Sequence, residues 1–372
     1  MKLQIALLKG DGIGPEVTAQ AVKCLQAVEE TFGHEFHFKE ALVGAAAMDA
    51  YGDPLPEQTL ELCKKSDAVL FGAIGDPRYD NDPSAKVRPE QGLLRLRKEL
   101  GLFCNIRPIK VFPTLMEKSP LKKKVIQGTD FVIYRELTGG IYFGEKSLSE
   151  DGTTATDSCT YTEAEISRIA HLAFKAAKGR RKKVTLVDKA NVLESSRLWR
   201  RVVTKIGESY PEVTLDCMFI DNAAMQLLLK PSQFDVILTE NMFGDILSDE
   251  GSAVGGSIGL LPSASTGEHH ALFEPVHGSY PQAAGKDIAN PIASILSAAM
   301  LLDHFKLDEE SRAVVIAVLK SIKKGVVSPD LSTSSKYGTS HIGDFISGNI
   351  RDSDEYLILN KENIWLGKST II

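Results

Sequence analysis

The sequence predicts an α/β protein whose sheet is mostly parallel and whose chain is divided between two lobes. Two observations predict the sheet. Apolar strand-like runs alternate with helical stretches through the first hundred residues, and the same alternation returns after about residue 180. That βαβ rhythm implies parallel strands. A third observation predicts the lobes. Consecutive β-like runs without helices fill the middle of the chain, and no linker composition marks either edge of them. The expected boundaries are 1–101 with 256–372 for one lobe and 102–255 for the other.

The elements follow in order. "LQIALL" (3–8) reads as a strand, and residues 15–31 as a helix with Pro15 in its first turn, where a missing N–H costs nothing. "HEFHFKEAL" and "DAVLFGAIG" are the next strands, with a helix near 56–65 between them. The polar loop 76–90 is long enough to indicate function. "QGLLRLRKELG" then reads as a helix. "LFCNIRPIKVF", "DFVIYRELTGG", "IYFGEKS" and "TDSCTYT" form the β-rich middle. Helical periodicity near 162–178, 191–208 and 240–252 alternates with "VTLVDKA", "VTLDCMFID" and "FDVILTEN". A glycine-rich loop and mostly helical segments are expected after about 256.

Composition excludes several classes. The chain has 372 residues, 43% hydrophobic and 25% charged, with a net charge of −6. Nucleic acid is an unsuitable partner, because affinity there rests on an excess of cations. The basic runs at 121–124 and 179–184 read as solvated loop charge. Five scattered cysteines without a C-x-x-C pair indicate a reducing cytoplasm, with no disulfide framework or zinc ribbon. The early apolar run is too short for a signal-peptide core, and no run reaches the ~20 apolar residues of a membrane span.

"KGDGIGPEV" (9–17) lies between a strand and a helix, as a dinucleotide fingerprint would. The fingerprint requires G-x-G-x-x-G. Here the third glycine, Gly14, comes one position early, and Asp11 places negative charge where a pyrophosphate would lie. Glu40 stands about where a ribose-binding acid belongs, which misleads.

The strongest chemical signal is acidic. Asp245 and Asp249 are four apart on the helix expected in "TENMFGDILSDEG", so their carboxylates share a face. Like charges repel there, and a divalent cation would reverse the sign; hard oxygen ligands favour magnesium or manganese. Asp221 follows a strand at its C-terminal end, where open α/β sheets place ligands. The plain alternative is a solvated acidic face. Arg97, Arg107 and Arg135 form a second set. Arg107 and Arg135 stand inside apolar β-like runs, where an unpaired charge is expensive. Such arginines grip carboxylates or phosphates, or pair internally with Glu136 or Asp130. Lys189 lies between a strand and a helix that Asn191 can cap with Glu194, and is a candidate base. Tyr142, expected in a strand, follows two glycines that let a ligand approach. The loop 274–291 offers His277, Asn290 and backbone N–H groups to a nucleotide.

"GDGIGPEV", "LLRLRKELGLFCNIRP", "YRELTGGIYFGE", "DKANVLE", "ENMFGDILSDE" and "EPVHGS…AGKDIANP" together resemble, in order and across nearly the whole chain, the β-decarboxylating isocitrate/isopropylmalate dehydrogenase family. The resemblance implies a two-lobed fold with a large mixed, mostly parallel sheet that is not a Rossmann fold. It also implies Mg²⁺- or Mn²⁺-dependent oxidative decarboxylation of a 2-hydroxy acid with a carboxylate on C3. In that reading Arg97, Arg107 and Arg135 hold the two carboxylates, while Asp221, Asp245 and Asp249 carry the metal. Asp221 also lies beside the substrate. Lys189 takes the hydroxyl proton and Tyr142 protonates the enol. Leu93, Leu94 and Val192 meet the substrate's side group, and an apolar set there favours 3-isopropylmalate over isocitrate. Homoisocitrate, malate or tartrate are the alternatives. Ile13, Glu90, His277, Gly278, Ser279, Gln282 and Asn290 would contact NAD. Gln282 stands where the family's NAD-dependent members usually carry an acid. A cytoplasmic homodimer is implied, with Lys189 and Asp221 completing the partner's site.

Overall fold

The computed structural model describes residues 1–80 and 87–351, with only the backbone at Asp80. Part of the loop 76–90, and the last stretch of the lobe expected to end at 372, therefore lie outside the described residues. In chain order the strands are β1 (Lys2–Gly10), β2 (Glu35–Glu40), β3 (Ala68–Ala73), β4 (Cys104–Lys110), β5 (Asp130–Glu136) and β6 (Lys146–Leu148). They continue as β7 (Ala155–Asp157), β8 (Lys183–Asp188), β9 (Thr214–Phe219), β10 (Val236–Thr239), β11 (Pro262–Thr266) and β12 (Ala271–Pro275).

The chain forms two compact units. Among the described residues one is Met1–Leu102 with 256–351, and the other is Phe103–Gly255. In the first unit the strands run in the order β2-β1-β3-β12-β11. β1 pairs in parallel with β2 and β3, β12 pairs in parallel with β3, and β11–β12 is an antiparallel hairpin. β3 ("AVLFGA") is buried at every position, as a strand covered on both faces must be. The helix Gly14–Phe32 carries a proline in its first turn and closes on Gly33 at φ 74°, a left-handed cap that glycine adopts without a steric penalty. The helix Ile292–His304 is buried from Ile292 through Leu302, on all its faces.

In the second unit the order is β4-β5-β10-β8-β9, with β6 and β7 forming a separate antiparallel pair. β5, β10, β8 and β9 are parallel, and β4 runs antiparallel to β5. Phe131 and Phe234 meet with ring centroids 6.0 Å apart in its core.

Four expectations are corrected. "IYFGEKS" shortens to the three-residue strand β6, because Gly140 turns the chain at φ 74° just before it, and "TDSCTYT" shortens to the three-residue strand β7. Tyr142 consequently ends a 3₁₀ turn, Gly140–Tyr142, rather than standing in a strand. The segment after 256 contains the β11–β12 hairpin. Its first strand, "PSAST", has none of the bulky apolar residues by which strands announce themselves. Asn191 caps no helix: the helix is Glu194–Gly207, with Leu193 at its N-cap.

Candidate active site

Strand register assembles the basic half of the site. Asn105 and Arg107 are two apart on β4, so they share a face, and Asn105 lies opposite Arg135 of β5. Thr239 of β10 is in register with Arg135, so the helix that follows β10, Asn241–Gly255, begins beside that arginine. Asp245, Ser248 and Asp249 project from this helix. Arg135 donates from Nη1 to Asp245 Oδ1 and from Nε and Nη2 to Asn241 Oδ1, at 3.1 and 2.8 Å. Arg107 donates to Asn105 Oδ1 at 2.7 Å and to Ser248 Oγ at 2.5 Å, and its Nη1 lies 3.7 Å from Asp245 and 3.8 Å from Asp249. The internal partners that the sequence offered serve others: Glu136 pairs with Arg168 and Asp130 with Arg180. The two buried arginines are thus neutralised by the helix acids, and their cost of burial is offset there.

Tyr142 closes the cluster. Its hydroxyl donates to Asp245 Oδ2 at 3.0 Å, and the Arg135 guanidinium lies 5.8 Å from its ring centroid. Burial, and then the Asp245 charge, push the phenol above its ordinary range. Burial likewise raises the Asp249 carboxyl, against the pull of Arg107. Asp249 keeps 65% of its side chain exposed, so its oxygens remain open to a cation or to solvent.

Lys189 and Asp221 form a separate pair, 2.9 Å apart, at the ends of the neighbouring strands β8 and β9. Lys189 draws the Asp221 carboxyl below the usual range. The Lys189 backbone N–H is fixed by Ser196 Oγ at 3.0 Å. Val192, in the turn that follows, is exposed. Among the described residues no three His, Cys, Asp or Glu side chains gather as a metal site. Within one chain Asp221 therefore does not join Asp245 and Asp249.

The remaining candidates belong to the first unit. Arg97 pairs with Glu274 of β12 at 2.7 Å; both are buried, and Arg97 Nε has no partner. Glu90 sets its carboxylate over the Gly75 backbone. Leu93 belongs to the hydrophobic core with Leu55, Phe71 and Leu96, whereas Leu94 is half-buried. A cavity of about 650 Å³ is lined by Ile13, Ile258, His277, Gly278, Asn290 and Asp330, among others. Pockets of this size hold a drug-sized ligand. His277 Nδ1 bonds to the Gly278 carbonyl at 2.9 Å. That bond makes Nδ1 the donor and leaves Nε2, buried and without a partner, as an acceptor. Burial lowers the His277 pKa, which favours the neutral ring. Ser279 is buried, and its carbonyl accepts from Ile13 N at 2.8 Å. Gln282 is exposed and outside the residues that line the cavity.

The opening turn does not cradle a phosphate. Its Asp11 carboxylate is buried and accepts the N–H groups of Ala45, Ala46 and Gly75 at 2.9–3.1 Å. A Cβ on Gly12 would stand 2.0 Å from the Ser279 carbonyl oxygen. Glycine is required there for close packing of two loops. Glu40 pairs with Lys9 at 2.7 Å.

Residues 4–346 match the family model described as isocitrate/isopropylmalate dehydrogenase. The chain belongs to the isocitrate/isopropylmalate dehydrogenase family. It is 54% identical over 353 residues to the 3-isopropylmalate dehydrogenase of Bacteroides fragilis, covering 94% of this chain and 99% of that one. Against the 3-isopropylmalate dehydrogenase of Aquifex aeolicus it is 52% identical over 362 residues, 95% and 99% of the two chains. The crystal structure of isocitrate dehydrogenase from Methylococcus capsulatus matches with a TM-score of 0.84 at 34% identity, covering 94% and 99%. The mixed, mostly parallel α/β fold expected from the motifs is thus that of the isocitrate/isopropylmalate dehydrogenase family. Sequence reasoning missed Asn241, Ser248, Glu274 and Asp330. Asn241 and Ser248 stand within the acidic motif itself, and Glu274 opens the "EPVHG" run, so their positions were legible although their partners were not.

Proposed function

We propose that the chain is a 3-isopropylmalate dehydrogenase. It oxidises the C2 hydroxyl of (2R,3S)-3-isopropylmalate and releases CO₂, leaving 4-methyl-2-oxopentanoate, as a step of leucine biosynthesis. One observation carries the reading: Arg107, Arg135 and Tyr142 converge on Asp245 and Asp249 in a chain more than half identical, over nearly its whole length, to enzymes of that name. The unit Phe103–Gly255 would hold substrate and metal, and the other unit the nucleotide.

The residues fit both cofactors. Asp245 and Asp249 are hard oxygen donors on one helix face, as Mg²⁺ or Mn²⁺ requires, and Asp221 of a second subunit would complete the set. The cavity beside Ile13 combines an apolar wall with the free acceptor of His277 and the Asn290 amide, a composition suited to adenosine. When bound, the metal polarises the hydroxyl and keto oxygens and NAD⁺ accepts the hydride. Arg107 and Arg135 bind substrate carboxylate through their forked donors, and Arg97 is assigned to the same anion. Lys189 takes the hydroxyl proton as hydride leaves C2. Tyr142, whose raised pKa keeps its proton, delivers it to carbon after CO₂ departs. Leu94 and Val192 are assigned to the isopropyl group, and Leu93, also assigned there, stands in the hydrophobic core of its own unit. Glu90, Gly278, Ser279 and Gln282 are assigned to the cofactor side.

A homodimer accounts for apolar surface that one chain leaves open. Met225, Leu228 and Leu229 on the helix Ile220–Leu229, with Ile246 on the acidic helix, are all exposed. No described helix is long and apolar enough to cross a membrane. The decisive assay measures NADH formation with Mn²⁺ on 3-isopropylmalate, isocitrate, homoisocitrate, malate and tartrate. We expect the highest kcat/KM on 3-isopropylmalate with NAD⁺. A preference for another acid overturns the substrate, and faster reduction of NADP⁺ overturns the cofactor.

A further inference from the structure

We infer that Asn241 is a positioning residue: it sets the plane of the Arg135 guanidinium and ties it to the glycine turn that carries Tyr142. The kinetic consequence rests on the proposed reaction, while the geometry stands without it. Asn241 is buried, with 1% of its surface exposed. Its Oδ1 accepts from both Nε and Nη2 of Arg135, at 3.1 and 2.8 Å. Its Nδ2 donates to the Gly139 carbonyl at 3.1 Å, and its backbone N–H donates to Tyr161 Oη at 3.0 Å. The amide therefore has one orientation. Turned over, Nδ2 would face two guanidinium donors, and Oδ1 would face a carbonyl oxygen.

The surroundings leave Arg135 little other freedom. Its aliphatic stem fills the space above Gly244, where a Cβ would stand 2.6 Å from Arg135 Cγ. Nη1 is taken by Asp245. With its Nε/Nη2 edge held by Asn241, Arg135 can meet a carboxylate with two coplanar donors only along its Nη1/Nη2 edge, so rotating the plane misaligns that edge even when the charge stays in place. Gly139 is three residues before Tyr142, and the carboxylate of Glu136 accepts the N–H groups of Thr138 and Gly139. Asn241 holds the same turn from its carbonyl side. One amide thus places both the anion-binding arginine and the proton-donating tyrosine.

A purely structural Asn241 would matter for stability and leave the kinetics of the folded enzyme alone. The test uses the full-length enzyme with NAD⁺, Mn²⁺ and 3-isopropylmalate. The variants are Asn241→Ala, Arg135→Lys and the double substitution, each with its thermal unfolding recorded. We expect Asn241→Ala to lower kcat/KM about 10²-fold, the scale of a misplacement of about 1 Å, with the KM for NAD⁺ unchanged. Lysine cannot occupy the two-bond fork, so in the Arg135→Lys background the same change should cost little more. Additive losses would overturn the inference, because coupled residues are non-additive. If Asn241→Ala does not fold, Asn241→Asp replaces it. The carboxylate keeps an acceptor for Arg135 and loses the donor to Gly139, so kcat should fall while the KM for substrate holds; an unchanged kcat overturns the coupling. If the wild type is inactive on every acid, the functional reading falls on its own. The crystal structure of Asn241→Ala (or of Asn241→Asp, by the Gly139 turn) then decides: a turned Arg135 plane or released turn supports the inference, and unmoved groups overturn it.

Discussion

Asp245 has the most demands on it of any candidate site residue, since Arg135, Arg107 and Tyr142 all address it. Asp245→Asn keeps its shape and removes its charge. We expect activity to fall by about 10² or more, the scale of losing one electrostatic contact at a reacting centre, and the Mn²⁺ requirement to rise. Full activity at micromolar Mn²⁺ contradicts the assignment. The same variant has a pH signature. Burial comes first in raising the Tyr142 phenol, and the Asp245 charge second. Removing the charge should let Tyr142 ionise at lower pH than in the wild type, read by ultraviolet titration against Tyr142→Phe. The leucines divide by burial. Leu93 is core, so a polar residue there costs stability; Leu94→Ser is the cleaner probe. It should reduce kcat/KM on 3-isopropylmalate more than on malate, which lacks the alkyl surface, by the ~1–3 kcal/mol of a few methyl groups. Equal losses remove Leu94 from the pocket. These residue types were legible because arginines inside apolar strands and acids four apart on a helix are costly without a purpose. The pairing of Glu274 was not, since its partner Arg97 lies 177 positions away.

At the scale of elements, the turn after β5 carries the most consequence. Gly140 has φ 74°, and a Cβ there would meet the Tyr161 hydroxyl at 2.3 Å. Gly140→Ala should destabilise the protein by about 1–2 kcal/mol from backbone handedness alone, with further loss from the clash. It should also displace Tyr142 and depress kcat more than the KM for substrate. A crystal structure with Tyr142 still on Asp245, together with unchanged kcat, contradicts this. Periodicity made the long elements legible: β3, the helix Asn241–Gly255 and the helix Glu163–Lys178 stand close to where their patterns placed them. It failed where glycine or small residues decided the backbone. "IYFGEKS" has strand composition, yet Gly140 bends it away. "PSAST" has loop composition, yet β12 recruits it as a strand because five backbone positions pair in register. Asn191 had the chemistry of a cap, but the chain makes another turn first, through N–H groups of Val192 and Leu193 bonded to the Lys189 carbonyl.

For the whole molecule the open matter is the subunit that Lys189 and Asp221 serve. They pair with each other and do not gather with Asp245 and Asp249 in one chain. In the dimer we propose, they act across the twofold axis. Lys189→Ala and Arg107→Ala, each nearly inactive alone, are unfolded and refolded as an equal mixture. About half the dimers should then be mixed, each with one intact site, and activity should return to about a quarter of wild type. Mixed dimers without recovery refute the shared site. A single sequence shows three acids with metal-binding chemistry; it does not show which of them belong to the same copy, because that depends on symmetry.

β3 and β12 pair Val69 with Leu272, about two hundred positions apart, with the whole of Phe103–Gly255 between them. During synthesis β3 therefore emerges long before its neighbour exists. At about 5–20 residues per second the interval is roughly 10–40 s. Among the described residues the inserted unit is continuous and can fold in that time, whereas an entirely apolar strand waits with one edge unpaired, the condition in which strands seek other chains. Nascent chains halted between Gly255 and Ala271 should accordingly be the ones that chaperones hold most tightly.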